Sequence, residues 1–433
     1  MAGKAGLSKT ITKLIAMKTR SIITALLLLF AIGSGLKGQF SLSGEYRPRT
    51  EFRHGFQSLM GPDDDAAFFI SQRTRLNLGA TREDYSFGFS LQDVRVWGEV
   101  PQLNRSDALS SVHEAWGEVR LSETVNLKAG RQEIVYDNAR IFGNVDWAQQ
   151  GRSHDAAVLK WQSSANTRLH AGFAFNQDRE RRTGTFYPLT NYKTFQYLWL
   201  NRNAEPVTWS LLMLNTGYQN TPGNVAFSLT TGGRFVYSPG PGSLSGSAYL
   251  QAGDDPTGLA LLAWYLAMEY AHQLNEEITL SGGFEVLSGT DEPDMATRTR
   301  NNSFTPLFGT NHAFNGHMDY FYVGNHLNDV GLIDFYGGMN FRRERWSAGF
   351  RLHAFISEGE ILIAGGGGEG ERQYLGTEID IFAGYDLFEH ATVRAGYSQM
   401  FATEAMERLK GGSSDEINNF VWLMLVLRPS FLN

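Results

Sequence analysis

Between Phe40 and Arg53 the chain alternates two kinds of side chain. Glu45, Arg47, Arg49, Glu51 and Arg53 share one parity with Ser41, while Phe40, Leu42 and Tyr46 share the other. In an extended strand successive side chains point to opposite faces, so the charges line one surface and the apolar groups another. A guanidinium placed this way offers a planar fork for carboxylate or phosphate and a flat face for stacking. The pattern returns with Arg73, Arg75 and Asn77 opposite Leu76 and Leu78, and with Arg351 and His353 opposite Phe350 and Leu352. It returns again with Glu378 and Asp380 opposite Ile379 and Ile381, and with Arg394 opposite Val393 and Ala395. Two readings stay open: a track for an anionic solute or acidic sugar, or a ladder in which arginines and carboxylates neutralise one another.

Such charges cannot face hydrocarbon, where an arginine at the bilayer midplane costs roughly 2–4 kcal/mol. They require a wet interior, and the elements that supply one are visible along the whole chain. Eighteen stretches alternate apolar with polar residues, from about 40–53 and 68–81 through 261–274 to 418–428. Connectors such as Arg82-Glu83, Ser122-Glu123, Ser164-Ala165 and Asn275-Glu276 are short, whereas 54–67, 98–111, 136–153, 178–191, 289–331, 358–372 and 402–417 are long. Tight turns on one side and long loops on the other predict an all-β, antiparallel up-and-down transmembrane barrel of 18 strands, with 16 as the fallback. The final stretch, Phe420 to Leu427, is apolar on both parities, which suits either barrel closure or a buried sheet strand.

Composition agrees. Among 433 residues there are 47 Gly, 29 Phe, 17 Tyr and 9 Trp, the materials of strand bends and of aromatic girdles. Lys18 and Arg20, the apolar run 22–32 and the small residues Gly33, Ser34, Gly35 and Gly38 predict a secretory signal over residues 1–38, with Met17 as an alternative start. Residues 39–433 then form a single barrel domain in the bacterial outer membrane. The net charge is −7, and the first 38 residues hold six basic groups and no acid, so the remainder carries −13 (−7 − 6). That balance argues against nucleic acid as a partner.

Catalytic and metal chemistry find little support. There is no cysteine, which removes thiol catalysis and cysteine-based metal sites. His312, His317 and His326 lie in one long loop but match no ligand frame, and Asp63-Asp64-Asp65 reads as a solvated acidic tip. Gly365-x-Gly367-x-x-Gly370 lacks the helix a dinucleotide site needs. His113 and Glu114 are neighbours on a strand and are expected on opposite faces. No catalytic residue, cofactor or metal is expected, and the chain is not read as an enzyme.

Gly130-Arg131-Gln132-Glu133, followed by Asp137, Arg140, Gly143, Trp147, Arg152 and Asp155, resembles the alginate-export family of outer-membrane barrels. Gln72-Arg73-Thr74-Arg75-Leu76 and Gln92-Asp93-Val94-Arg95 resemble its early strands. The resemblance implies an 18-stranded monomer through which an anionic polysaccharide moves passively, and it adds Arg131, Arg140 and Arg152 to the pore-lining candidates. Arg131 shares the parity of Leu127 and Ala129, and Asp93 and Arg95 that of Phe87, Phe89 and Leu91. Either these charges lie above the bilayer or a bulge shifts the frame. The expected partners are outer-membrane lipid, the barrel-insertion machinery, and an anionic polysaccharide or small anionic solute. A diffusion pore for small nutrients, or an adhesin built on the long loops, is the alternative. The loop 289–331 either folds over the mouth or projects outward.

Overall fold

The computed structural model describes residues 38–189, 191–310, 312–322, 324–363 and 368–432; the expected N-terminal signal, but for Gly38, and residues 365–367 of the glycine run lie outside them. The strands are β1 (Gln39–His54), β2 (Ala67–Thr81), β3 (Tyr85–Val96), β4 (Ser110–Arg120), β5 (Val125–Gln132) and β6 (His154–Ser164). They continue as β7 (Thr167–Phe175), β8 (Tyr192–Ala204), β9 (Val207–Thr221), β10 (Asn224–Tyr237), β11 (Gly242–Asp254) and β12 (Ala260–Gln273). The set ends with β13 (Ile278–Leu287), β14 (Leu332–Arg343), β15 (Trp346–Ile356), β16 (Tyr374–Phe388), β17 (Ala391–Ala402) and β18 (Asn418–Leu427).

Each strand pairs antiparallel with its sequence neighbours, and β1 pairs with both β2 and β18, so the sheet has no open edge. Eighteen is therefore the strand number. Side chains on the outward parity form an apolar band, for example Trp264, Leu266, Met268 and Tyr270 of β12, all exposed on the outer wall. A closed barrel wrapped in such a band is the outer-membrane architecture, since every backbone group is satisfied within the wall.

The bulge anticipated near Asp93 lies on the facing strand instead. Ser90 pairs with Glu114 but Leu91 with Val112, which leaves His113 as the extra residue of β4. His113 and Glu114 consequently do not face opposite sides: His113 Nε2 lies 2.7 Å from Glu133, and Glu114 accepts the Glu133 backbone N–H. β3 keeps its frame, so Asp93 and Arg95 remain outward and bond to one another.

Two long connectors turn inward rather than away. Described residues of 133–153 and 288–331 enter the barrel interior, where Phe142, Phe308, Met318 and Tyr320 are buried, while Asp291 and Glu292 bond to Glu360, Leu362 and Arg408. Of the nine non-glycine residues with left-handed backbone among the described residues, seven belong to these two loops: Asp137, Ala139, Val145, Leu307, Asn315, Asp319 and Asn328. For a β-branched residue such as Val145 this conformation is strained, and it persists because surrounding contacts over-determine it. The loops also clasp each other, through Gly143 N–H to Phe308 O at 2.8 Å and Thr310 N–H to Ala139 O at 2.8 Å.

Candidate functional site: the loop-filled lumen

The charged parity of β1 and β2 faces inward, but its arginines are occupied. Arg73 lies 2.5 Å from Glu45 and 2.6 Å from Asp146 of the inward loop 133–153. Arg47 donates to Gln149 at 3.0 Å and sits 3.3 Å from Asp146. Arg49 bonds Glu51 at 2.7 Å and donates to Trp147 O at 2.6 Å, while Arg53 closes on the other Glu51 oxygen at 2.7 Å. Arg75 donates to Gln92 at 2.8 Å and to Gln150 O at 3.2 Å. Burial raises the Asp146 carboxyl and the nearby Arg47 and Arg73 outweigh that, holding it at about 2. The ladder reading therefore describes this wall geometrically: its arginines pin a loop.

A second stretch of wall, reached from β1 across β18 and β17, is acidic. Glu285 of β13, Asp334 of β14 and Glu378 and Asp380 of β16 are all buried and inward. Loop 288–331 supplies their partners. Asn315 donates to Glu285 and Asp334, each at 3.1 Å, and Met318 N–H donates to Glu378 at 2.8 Å. Gly316 has φ +84°, and a Cβ there would come within 2.5 Å of the Glu378 carboxylate, so the docking needs glycine. Arg140 reaches across from loop 133–153 to Glu285 at 2.9 Å, and Arg152 donates to Gly309 O at 2.9 Å. These two arginines, expected on the pore wall, instead fasten one loop to the other wall and the other loop.

Arg131 is corrected outright. It faces outward from β5 and pairs with Asp155 at 3.1 Å, both side chains well exposed. The strand parity with Leu127 and Ala129 decides its direction, and the motif does not override it.

The loops also meet through stacked rings, beside β1 and β18. The Trp147 and His312 rings lie 3.7 Å apart at 11°, and His312 stacks on His317 at 4.7 Å. Arg49 covers the other face of Trp147 at 3.9 Å, and the rings of Phe420 and Trp422 abut Trp147 edge-on from β18. That contact explains why β18 is apolar on both parities: it closes the wall and packs on the plug. Trp147 and His312 separate a cavity of about 610 Å³, which also touches Arg53, Arg152 and Asp319, from one of about 330 Å³ lined by Arg342, Arg394 and His317. Further cavities of about 260 and 510 Å³ share Asn138 and Arg234.

Arginines of a second kind line these cavities on the short-turn side. Arg168, Arg234, Arg342, Arg351 and Arg394 make no salt bridge among the described residues. Arg168 donates to Asn201 at 2.8 Å, Arg234 to Ser247 at 3.2 Å, and Arg351 stacks on Tyr336 at 5.7 Å. Of these, parity singled out Arg351 and Arg394; Arg168, Arg234 and Arg342 carry the same alternating signal but stand alone on their strands. No cluster of His and acids among the described residues could hold a metal ion, and His312 and His317 are ring-stacking partners here.

Solved structures share the fold. Pseudomonas aeruginosa OpdQ superposes with a TM-score of 0.60 at 12% identity, over 90% of this chain and 98% of that one. Acinetobacter baumannii OccAB4 gives 0.63 at 10%, over 91% and 98%. Pseudomonas aeruginosa OccK10 (OpdN) gives 0.59 at 15%, over 91% and 100%. No protein-family model matches the chain, and no curated protein matches it. The similarity supports an outer-membrane barrel and lends no weight to the alginate-export family in particular, so the chain is placed by fold and by its own geometry: an 18-stranded outer-membrane β-barrel with two inward loops.

Proposed function

We propose that this barrel is a channel for small hydrophilic solutes, with a preference for small anions, and not a conduit for polysaccharide. The observation that carries the reading is the stack of Trp147 on His312, which divides the lumen into chambers of about 610 and 330 Å³. Chambers of that size hold single small molecules. A polymer chain needs a continuous groove, and the loops are bonded to both walls across the path. The anion preference rests on Arg168, Arg234, Arg351 and Arg394, which among the described residues have no carboxylate within ion-pair distance and raise the local concentration of anions electrostatically.

Reversal potentials across a salt gradient test the charge preference. Anion selectivity should fall when Arg168, Arg234, Arg351 and Arg394 are replaced together by Gln, and should be weaker at high salt. Cation selectivity in the parent protein would overturn the preference. Uptake by proteoliposomes tests the size limit: monomeric sugar acids should enter and oligouronates should not. Equal entry of both would return the polysaccharide reading.

A further inference from the structure

The outer wall is not uniform. On β15 the outward residues Trp346, Ala348, Phe350, Leu352, Ala354 and Ile356 are apolar over ten residue steps. At about 3.4 Å per residue and a tilt of about 40°, that is about 26 Å of height, a full hydrocarbon thickness for an outer-membrane barrel. On β6 the outward series from the short-turn end is Trp161, Leu159 and Ala157, and then Asp155. On β5 it is Val125, Leu127 and Ala129, and then Arg131. Val125 pairs with Trp161 and Arg131 with Asp155, so both charges sit six steps, or about 16 Å, above the lower aromatic edge. They fall inside the band that is hydrocarbon-covered on the other side. Their neighbours continue the break: β3 turns from Leu91 to Asp93 and Arg95, and β2 from Leu76 to Thr74 and Gln72.

We infer that the outer face of β2–β6 is the contact surface for a second copy of this chain. Bare lipid is a poor cover for Arg131 and Asp155, whose side chains are 45% and 62% exposed on this wall. Anionic lipid headgroups are a poor match as well, because the strand charges balance: Arg95 and Arg131 against Asp93 and Asp155. A patch holding equal numbers of both signs is complementary to itself, and closed assemblies of identical chains use such patches. The adjoining wall suits close approach. Ala115, Gly117, Ala129 and Ala157 keep it flat, and beside them a groove of about 340 Å³ runs between Tyr46, Leu76, Leu91 and Phe431. This departs from the monomer implied by the resemblance.

The cysteine-free chain makes the test direct. Ala129→Cys and Ala157→Cys, treated with a short bismaleimide in isolated outer membranes, should yield covalent dimers at least tenfold above Ala348→Cys on β15. Equal yields on both walls, or none on either, would overturn the interface. Light scattering in mild detergent gives a second reading: the parent protein should exceed the mass of one chain, and Arg131→Leu with Asp155→Leu should reduce it to one. If the pair merely faces lipid or headgroups, that double variant leaves the mass unchanged.

Discussion

The lumen has two charged walls that do the same job with opposite signs. On β1–β2 the wall is rich in arginine, and loop 133–153 brings it Asp146 and the carbonyls of Trp147, Ala148 and Gln149. On β13–β16 the wall is acidic, and loop 288–331 brings it Asn315, His317 and the Met318 N–H. The difference teaches how to read a charged strand. A dense run of charges on one parity marks a place where the chain itself docks. The arginines standing alone on β7, β10, β15 and β17 are the ones we propose for solute.

The largest test strikes the basic wall. Arg73→Met removes the shortest ion pairs of Glu45 and Asp146, which keep Arg47 and Arg428, a loss of about 1.5–3 kcal/mol. Chemical unfolding of the purified barrel should show it, and conductance should rise as loop 133–153 comes free. An unchanged conductance would mean that other contacts alone hold this loop.

Acid separates the walls. Asp146 is held at about 2, below its unfolded value, so its contribution is present above about pH 4 and is lost only as pH falls through about 2. His317 is brought down to about 4, chiefly by burial, with His312, His353 and Arg351 adding and Asp380 opposing. A histidine depressed on folding keeps its stabilisation above about pH 6.5 and loses it as pH falls through about 4. Conductance recorded from pH 7 to pH 4 should therefore rise through release of loop 288–331, while loop 133–153 stays docked. His317→Phe should flatten that rise. A rise of the same size in this variant would move the titration elsewhere.

A smaller effect is expected where the loops meet. His312→Ala removes the stack on Trp147, worth about 0.5–1.5 kcal/mol beyond buried area. Single-channel recordings should show a modestly larger or noisier open level with the barrel's unfolding midpoint nearly unchanged. The smallest effect is Arg394→Gln alone: no measurable change in stability, which an unfolding curve checks, and a slight drop in anion selectivity.

The wall was legible in the sequence because a period of two is a strong repeating signal. Strand number, pairing order and the inward face of Arg47, Arg73, Arg351 and Asp380 all follow from it. What was not legible lies where no period exists. Nothing in residues 133–153 or 288–331 announces that both turn inward, since their course is set by partners on other strands, 60 positions away for Met318 and Glu378 and 102 for Arg47 and Gln149. The extra residue His113 left only an ambiguity in the neighbouring strand. Arg131 shows the opposite hazard: a motif suggested one side of the wall, and simple alternation, which pointed to the other, was right.

The contact between Trp147 and Trp422 also fixes an order of events. β18 is the last strand made, and until it pairs with β1 there is no Trp422 or Phe420 against which the Trp147 ring can rest. An incomplete barrel during insertion therefore holds loop 133–153 through Arg47, Arg49 and Arg73 but without its packing on β18, and the plug is finished only when the seam zips. Obstruction of the pore becomes a readout of completed assembly, so a chain stalled at its seam should leak before it can discriminate.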